Sequence, residues 1–266
     1  MITKIRILCL AALWLPVSVL GDRHLVEDLS WEIDDRSFTG KLVIPENASD
    51  PLPGLLMIPS WMGPTERAAE KAAWAAGDNY VVLVADVYGT EVRPQNSGEA
   101  GRAAGALRDD RELMRQRGQA ALDAFRSAAG DVPLDPNRIA AIGFCFGGGA
   151  ALELARSGAD LDAVISFHGD LLSPTLQADS ERIQGKVLVL HGAADPLVPH
   201  EDVVAFADAM NATEVDWSLI AYGGAVHSFT NPHADSPGTS QYDETAARRS
   251  HAAMRALLDE VWGNDN

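Results

Sequence analysis

Short apolar runs alternate along the chain with alanine-rich stretches of helical period, and turn residues punctuate the two. His24 to Pro45 alternates loosely around Asp34-Asp35-Arg36 and predicts an antiparallel hairpin. After the Pro-rich turn Asn47 to Gly54, the run Gly54 to Pro59 predicts a buried strand with Ser60-Trp61-Met62-Gly63 as its terminal loop. Thr65-Glu66 opens a helix to about Ala76, and Tyr80 to Ala85 predicts a strand ending at Asp86-Val87-Tyr88-Gly89. A polar loop from Thr90 to about Gly101 should lead into a helix from Leu107 to Ala129. The turn signal Asp135-Pro136-Asn137 then precedes a strand at Ile139 to Ile142 and a helix from Phe146. Strands follow at Asp162 to Phe167, Lys186 to Leu190 and Val215 to Ala221, with helices at Glu201 to Met210 and Tyr242 to Trp262. Alternating strands and helices predict one α/β domain over residues 22–266, with a mostly parallel, doubly wound sheet carrying helices on both faces. Sites in such sheets form beyond the carboxyl ends of the strands.

Composition narrows the function classes. A net charge of −17 argues against nucleic-acid or anionic-membrane partners. The N-terminus places Lys4 and Arg6 before an apolar run, Ile7 to Leu20, followed by Gly21-Asp22. That order predicts a signal peptide over residues 1–21 and a periplasmic or secreted mature protein without stable membrane association. The two cysteines are Cys9 and Cys145, so removal of the segment leaves Cys145 without a disulfide partner. A lone thiol in an oxidising compartment is a liability unless it is buried or used.

Chemistry concentrates at Gly143-Phe144-Cys145-Phe146-Gly147, a strand-to-helix turn with Cys145 at its tip. Side chains two positions either side would collide with neighbouring backbone, which accounts for glycine at both. The tip faces the positive end of the following helix, a setting that favours thiolate over thiol. Asp195, in His191-Gly-Ala-Ala-Asp-Pro196, and His227, in Gly223-Gly-Ala-Val-His-Ser-Phe229, each follow a later strand. Taken singly, Cys145 reads equally well as a packed small residue, Asp195 as a turn residue and His227 as a loop histidine. Taken together they stand in the α/β-hydrolase order nucleophile, acid, base. The imidazole would accept the thiol proton and the carboxylate would orient it. The backbone N–H groups of Phe146 and Trp61 are the candidate oxyanion donors. His168, His191, His200, His233 and His251 show no metal-ligand spacing, so no metal and no cofactor is expected.

These segments, with Asp86-Val-Tyr-Gly89, make the chain resemble the dienelactone hydrolase family over roughly Gly54 to Trp262. The resemblance implies an α/β-hydrolase fold, with Cys145 as nucleophile, His227 as base and Asp195 as its partner. It also implies departures. Members that open dienelactones carry a gating glutamate where this chain has Ser60 and two substrate-binding arginines where it has Thr90 and Asn231. The expected substrate is therefore a small ester or lactone, and not a carboxylated dienelactone. Should an anion bind, Arg93 and Arg102 are the first suspects. Ser60, Met62, Tyr88, Thr90 and Asn231 are the pocket candidates. Alternatives to hydrolysis are acyl transfer or peptide cleavage by the same residues, or a catalytically silent binding or thiol-sensing protein on the same fold.

Overall fold

The computed structural model describes residues 23–263 together with 5–6 and 18–19. The predicted signal segment lies outside the described residues except at β1 (Ile5–Arg6) and β2 (Ser18–Val19), each paired antiparallel with β3 (His24–Ile33). The chain divides into two compact units, residues 1–139 and 140–266.

In the first unit β3 and β4 (Arg36–Pro45) form the expected hairpin around Asp34, which takes φ 53° at the turn. β4 pairs antiparallel with β6 (Val81–Val84), which pairs parallel with β5 (Leu52–Ile58). β6 is buried at every position, and β5 at every position after Leu52. That is why these strands read as continuous apolar runs and not as alternation. Helix α1 (Glu66–Ala76) packs on β4 and β6 through Ala69, Ala72, Ala75 and Ala76, and the Thr65 hydroxyl caps it by accepting from the Ala68 N–H.

The segment expected as a loop and one helix is two helices, α2 (Ser97–Asp109) and α3 (Arg111–Ser127). Local capping explains both departures. The Asn96 side chain accepts from the Glu99 N–H while the Glu99 carboxylate accepts from the Gln95 N–H, a reciprocal cap that starts a helix inside polar sequence. Asp110 leaves helical geometry at φ −125°, ψ 79° and caps α3 by accepting from the Leu113 N–H. Strand β7 (Leu134–Phe144) begins before the predicted turn, although the Asp135 carboxylate still makes its local bond to the Asn137 N–H.

The second unit holds the rest of β7 and the parallel strands β8 (Ala163–Phe167), β9 (Lys186–Gly192) and β10 (Trp217–Tyr222), in that spatial order. Helix α4 (Phe146–Arg156) is buried on every side and packs on β8. An ion pair of Glu153 with Arg156 at 3.0 Å is buried with it, and Arg156 donates a further bond to the Leu171 carbonyl. The short helix α5 (Leu176–Ser180) was not expected from the sequence, whereas α6 (His200–Asn211) and α7 (Glu244–Trp262) were. Between β10 and α7 lies an unexpected hairpin of β11 (Asp235–Ser236) and β12 (Ser240–Gln241). Parallel pairs predominate among the inner strands, with helices between them along the chain. The fold is the mostly parallel α/β class that the sequence predicts.

Candidate active site

The turn between β7 and α4 is a strained element of the second unit. Cys145 sits there at φ 57°, ψ −123°, a region that side-chain-bearing residues rarely occupy. Gly143 is obligatory: a Cβ there would lie 2.0 Å from the Gly147 carbonyl oxygen. A Cβ on Gly169, in the loop after β8, would fall 2.6 Å from the Gly148 carbonyl carbon, so the backbone at the start of α4 is hemmed in from that side as well. The Cys145 carbonyl accepts from the Gly148 N–H at 2.9 Å and so begins the helix, while the half-buried thiol remains at the tip.

Two later loops of the same unit meet that thiol. His227 places Nε2 3.0 Å from the Cys145 Sγ and Nδ1 2.8 Å from the Asp195 Oδ2. Because an ionised carboxylate only accepts, Nδ1 carries a proton and donates it, leaving Nε2 to exchange one with sulfur. The other Asp195 oxygen, Oδ1, accepts from the Leu197 N–H at 2.8 Å. One oxygen of Asp195 thus makes the local bond of an Asp-Pro turn, and the other faces His227. The hairpin segment fixes the His227 backbone on both sides: its N–H donates to the Thr239 carbonyl and its carbonyl accepts from the Gln241 N–H.

Electrostatics follow the geometry. Burial opposes a charge on His227, but its hydrogen bonds to Asp195 and Cys145, with their negative charge, raise it to about 10. Burial pushes His191, on β9, the other way; nearby His200 and His227 add to that and Asp195 opposes it. A third histidine, which the sequence offered only as a strand-end or surface residue, is buried beside these groups. His168 Nδ1 lies 3.1 Å from the Cys145 backbone N–H, and its ring meets that of His227 edge-on at 5.2 Å.

The remaining candidates make local contacts. Phe146 is the first residue of α4, and its side chain is buried. In the first unit the Ser60 carbonyl accepts from Gly63, the Trp61 carbonyl accepts from the Tyr88 hydroxyl at 3.0 Å, and the Thr90 hydroxyl donates to the Ser37 carbonyl. Trp61 is 38% exposed, Met62 is half-buried and Tyr88 is buried. Asn231, in the second unit, accepts from the His233 N–H within its own turn. Arg93 donates to Asp86 at 2.8 Å, and Arg102 is exposed on α2. Among the described residues no His, Cys, Asp and Glu cluster could hold a metal, and no helix is long and apolar enough to cross a membrane.

A thiol on a strand-to-helix turn, with carboxylate and imidazole supplied by the loops after later strands of a mostly parallel sheet, places this chain among the α/β-hydrolases. Residues 38–262 match the dienelactone hydrolase family, and the chain belongs to it. It is accordingly an ester or lactone hydrolase. The crystal structure of the dienelactone hydrolase-like promiscuous phosphotriesterase P91, from metagenomic libraries, superposes with a TM-score of 0.83 at 38% identity, covering 90% of this chain and 99% of that one. The uncharacterized protein K02A2.1 of Caenorhabditis elegans is 38% identical over 157 residues, 56% of this chain and 94% of that one. A carboxymethylenebutenolidase of Pseudomonas sp. (strain P51) is 34% identical over 94 residues, 34% of this chain and 38% of that one.

Proposed function

We propose that this protein hydrolyses small neutral esters or lactones through a covalent intermediate on Cys145. The observation that supports this is the double contact of His227, 2.8 Å from Asp195 and 3.0 Å from the Cys145 sulfur. In this reading His227 Nε2 already holds the proton from Sγ, and the sulfur attacks the carbonyl carbon. The carbonyl π electrons move to oxygen, and the backbone N–H of Phe146, at the start of α4, receives the oxyanion. Collapse breaks the C–O bond, and the leaving oxygen takes the proton from His227. Water then attacks the thioester, giving its proton to the same nitrogen, and the acid leaves as Cys145 and His227 return to their starting state. Asp195 keeps Nδ1 protonated throughout and offsets the imidazolium charge.

Substrate charge follows from what is missing. Ser60, Thr90 and Asn231 replace a glutamate and two arginines, so no cation at those positions grips a substrate carboxylate. A graded series of p-nitrophenyl esters, run beside Cys145→Ala, tests the function. Turnover by the wild type and none by the variant is the expected result. Equal turnover by both would leave Cys145 without a catalytic role, and transfer to an added alcohol or cleavage of a peptide would move the assignment to those reactions. P91 is described as a promiscuous phosphotriesterase, so paraoxon belongs in the same screen.

We further propose that residues 1–21 are removed on export. Mass spectrometry of protein from the native host should find an N-terminus near Asp22; soluble protein still carrying Met1 would overturn that assignment.

A further inference from the structure

We propose that His168 is a positioning residue that cross-braces the turn carrying Cys145 to the loop carrying His227. The inference rests on the hydrolase reading above and extends it to a residue that neither the triad pattern nor the family motif singles out.

His168 stands directly after β8, 3% exposed and at φ 42°, with its own N–H donating to the Leu190 carbonyl on β9. Its ring has two polar ends and both are engaged. At one end, Nδ1 lies 3.1 Å from the backbone N–H of Cys145, which it shares with the Phe167 carbonyl at 3.0 Å. At the other, Nε2 lies 2.9 Å from Thr230 Oγ1, and Thr230 is three residues beyond His227 on the same loop. A backbone N–H can only donate, so Nδ1 is the bare nitrogen and Nε2 carries the hydrogen that reaches Thr230. The ring is also wedged between aromatic neighbours, edge-on to His227 at 5.2 Å and to Phe229 at 5.1 Å.

One rigid planar group thus joins the strained nucleophile to the loop of its base. A flexible side chain could reach either end; an imidazole fixes the separation between them. The contact this governs is the 3.0 Å approach of His227 to the thiol. Proton transfer across such a contact falls steeply with misplacement, to about a hundredfold for a shift near 1 Å. His168 need not touch substrate to act, since it works through Cys145 and His227.

The test uses His168→Asn, Thr230→Val and the double variant of the full chain. Asparagine tolerates positive φ and sets an oxygen near the Nδ1 position, but it is too short to reach Thr230. Valine matches threonine in shape and removes its hydroxyl. Two readouts are taken: steady-state hydrolysis of p-nitrophenyl acetate, and the rate of Cys145 alkylation by iodoacetamide, which needs no turnover. Each single variant should lower kcat by roughly tenfold with KM little changed and slow alkylation in parallel. The double variant should be no worse than the worse single one, because both cut the same bridge. Wild-type kcat and alkylation in Thr230→Val, or losses that multiply in the double variant, would overturn the proposal. Should His168→Asn fail to fold, Thr230→Val decides alone. Alkylation also separates the two readings. If no ester is turned over while the variants still slow alkylation, the substrate assignment fails and the brace stands.

Discussion

Asp86 and Asp195 each follow the end of a strand, β6 and β9, and neither carboxylate is exposed. Their partners differ. Asp86 accepts from the N–H groups of Thr39, Tyr88 and Gly89 and from the Arg93 guanidinium, four donors that are always present. Asp195 accepts one backbone N–H, from Leu197, and its other oxygen faces His227. An arginine stays charged over the whole working range of pH, whereas a histidine gains or loses its charge with its proton. The first carboxylate therefore holds the Asp86-Val-Tyr-Gly89 turn closed, and the second is matched to a group whose charge changes. A buried acid is structural or chemical according to whether its counter-charge is permanent.

Asparagine substitution should separate the two most strongly. In Asp195→Asn the ring of His227 loses the carboxylate that selects its tautomer, and kcat for an ester substrate should fall by roughly four orders of magnitude. A variant within tenfold of wild type would break the comparison. Asp86→Asn should instead act on stability. Arg93 is partly exposed, so the loss is that of hydrogen bonds to a charged group, about 1.5–3 kcal/mol, which at about 2–4 °C per kcal/mol lowers Tm by roughly 3–12 °C. The folded fraction should keep its kcat, as measured below the melting range; an unchanged Tm would show that Arg93 and the turn do not depend on the charge.

The dependence on pH sharpens the distinction. His227 in the folded protein titrates near 10, above the ~6.5 of an unfolded chain. Its stabilisation is therefore complete below about pH 6.5 and is lost as pH rises through about 10. Melting curves from pH 6 to 10.5 should show the advantage of wild type over His227→Gln narrowing by on the order of 5 °C. The gap between wild type and Asp86→Asn should stay flat over the same range, since an arginine partner keeps its charge throughout it.

The smallest effect concerns substrate charge. With Arg93 bonded to Asp86 and no arginine at Thr90 or Asn231, a neutral lactone should exceed its carboxylated analogue in kcat/KM by roughly tenfold or more. Measuring both at two ionic strengths separates a local contact from repulsion by the acidic surface. A preference for the carboxylated compound that survives high salt would mean that another cation binds it.

Much of this was legible in the chain. The buried strands announced themselves as apolar runs because β5, β6 and β9 are covered on both faces. Gly143, two residues before Cys145, marked the elbow, because only glycine fits where a Cβ would lie 2.0 Å from the Gly147 carbonyl oxygen. The helix α2 was hidden, since its cap joins Asn96 and Glu99 within a stretch whose polarity reads as loop. The hairpin at 235–241 was hidden too, for its strands are two residues each and carry no period.

The sequence by itself determined the residue types and their order: thiol after β7, carboxylate after β9 and imidazole after β10, with a turn that needs glycine at Gly143. Local sterics and hydrophobic period act between near neighbours, so a linear pattern records them. The tertiary structure alone decided which buried polar groups meet. That His168 faces the Cys145 N–H 23 residues away, and Thr230 62 residues away on its other side, depends on strand order and loop path. No spacing in the chain encodes those distances, because a hydrogen bond between loops is set where the strands bring their ends together.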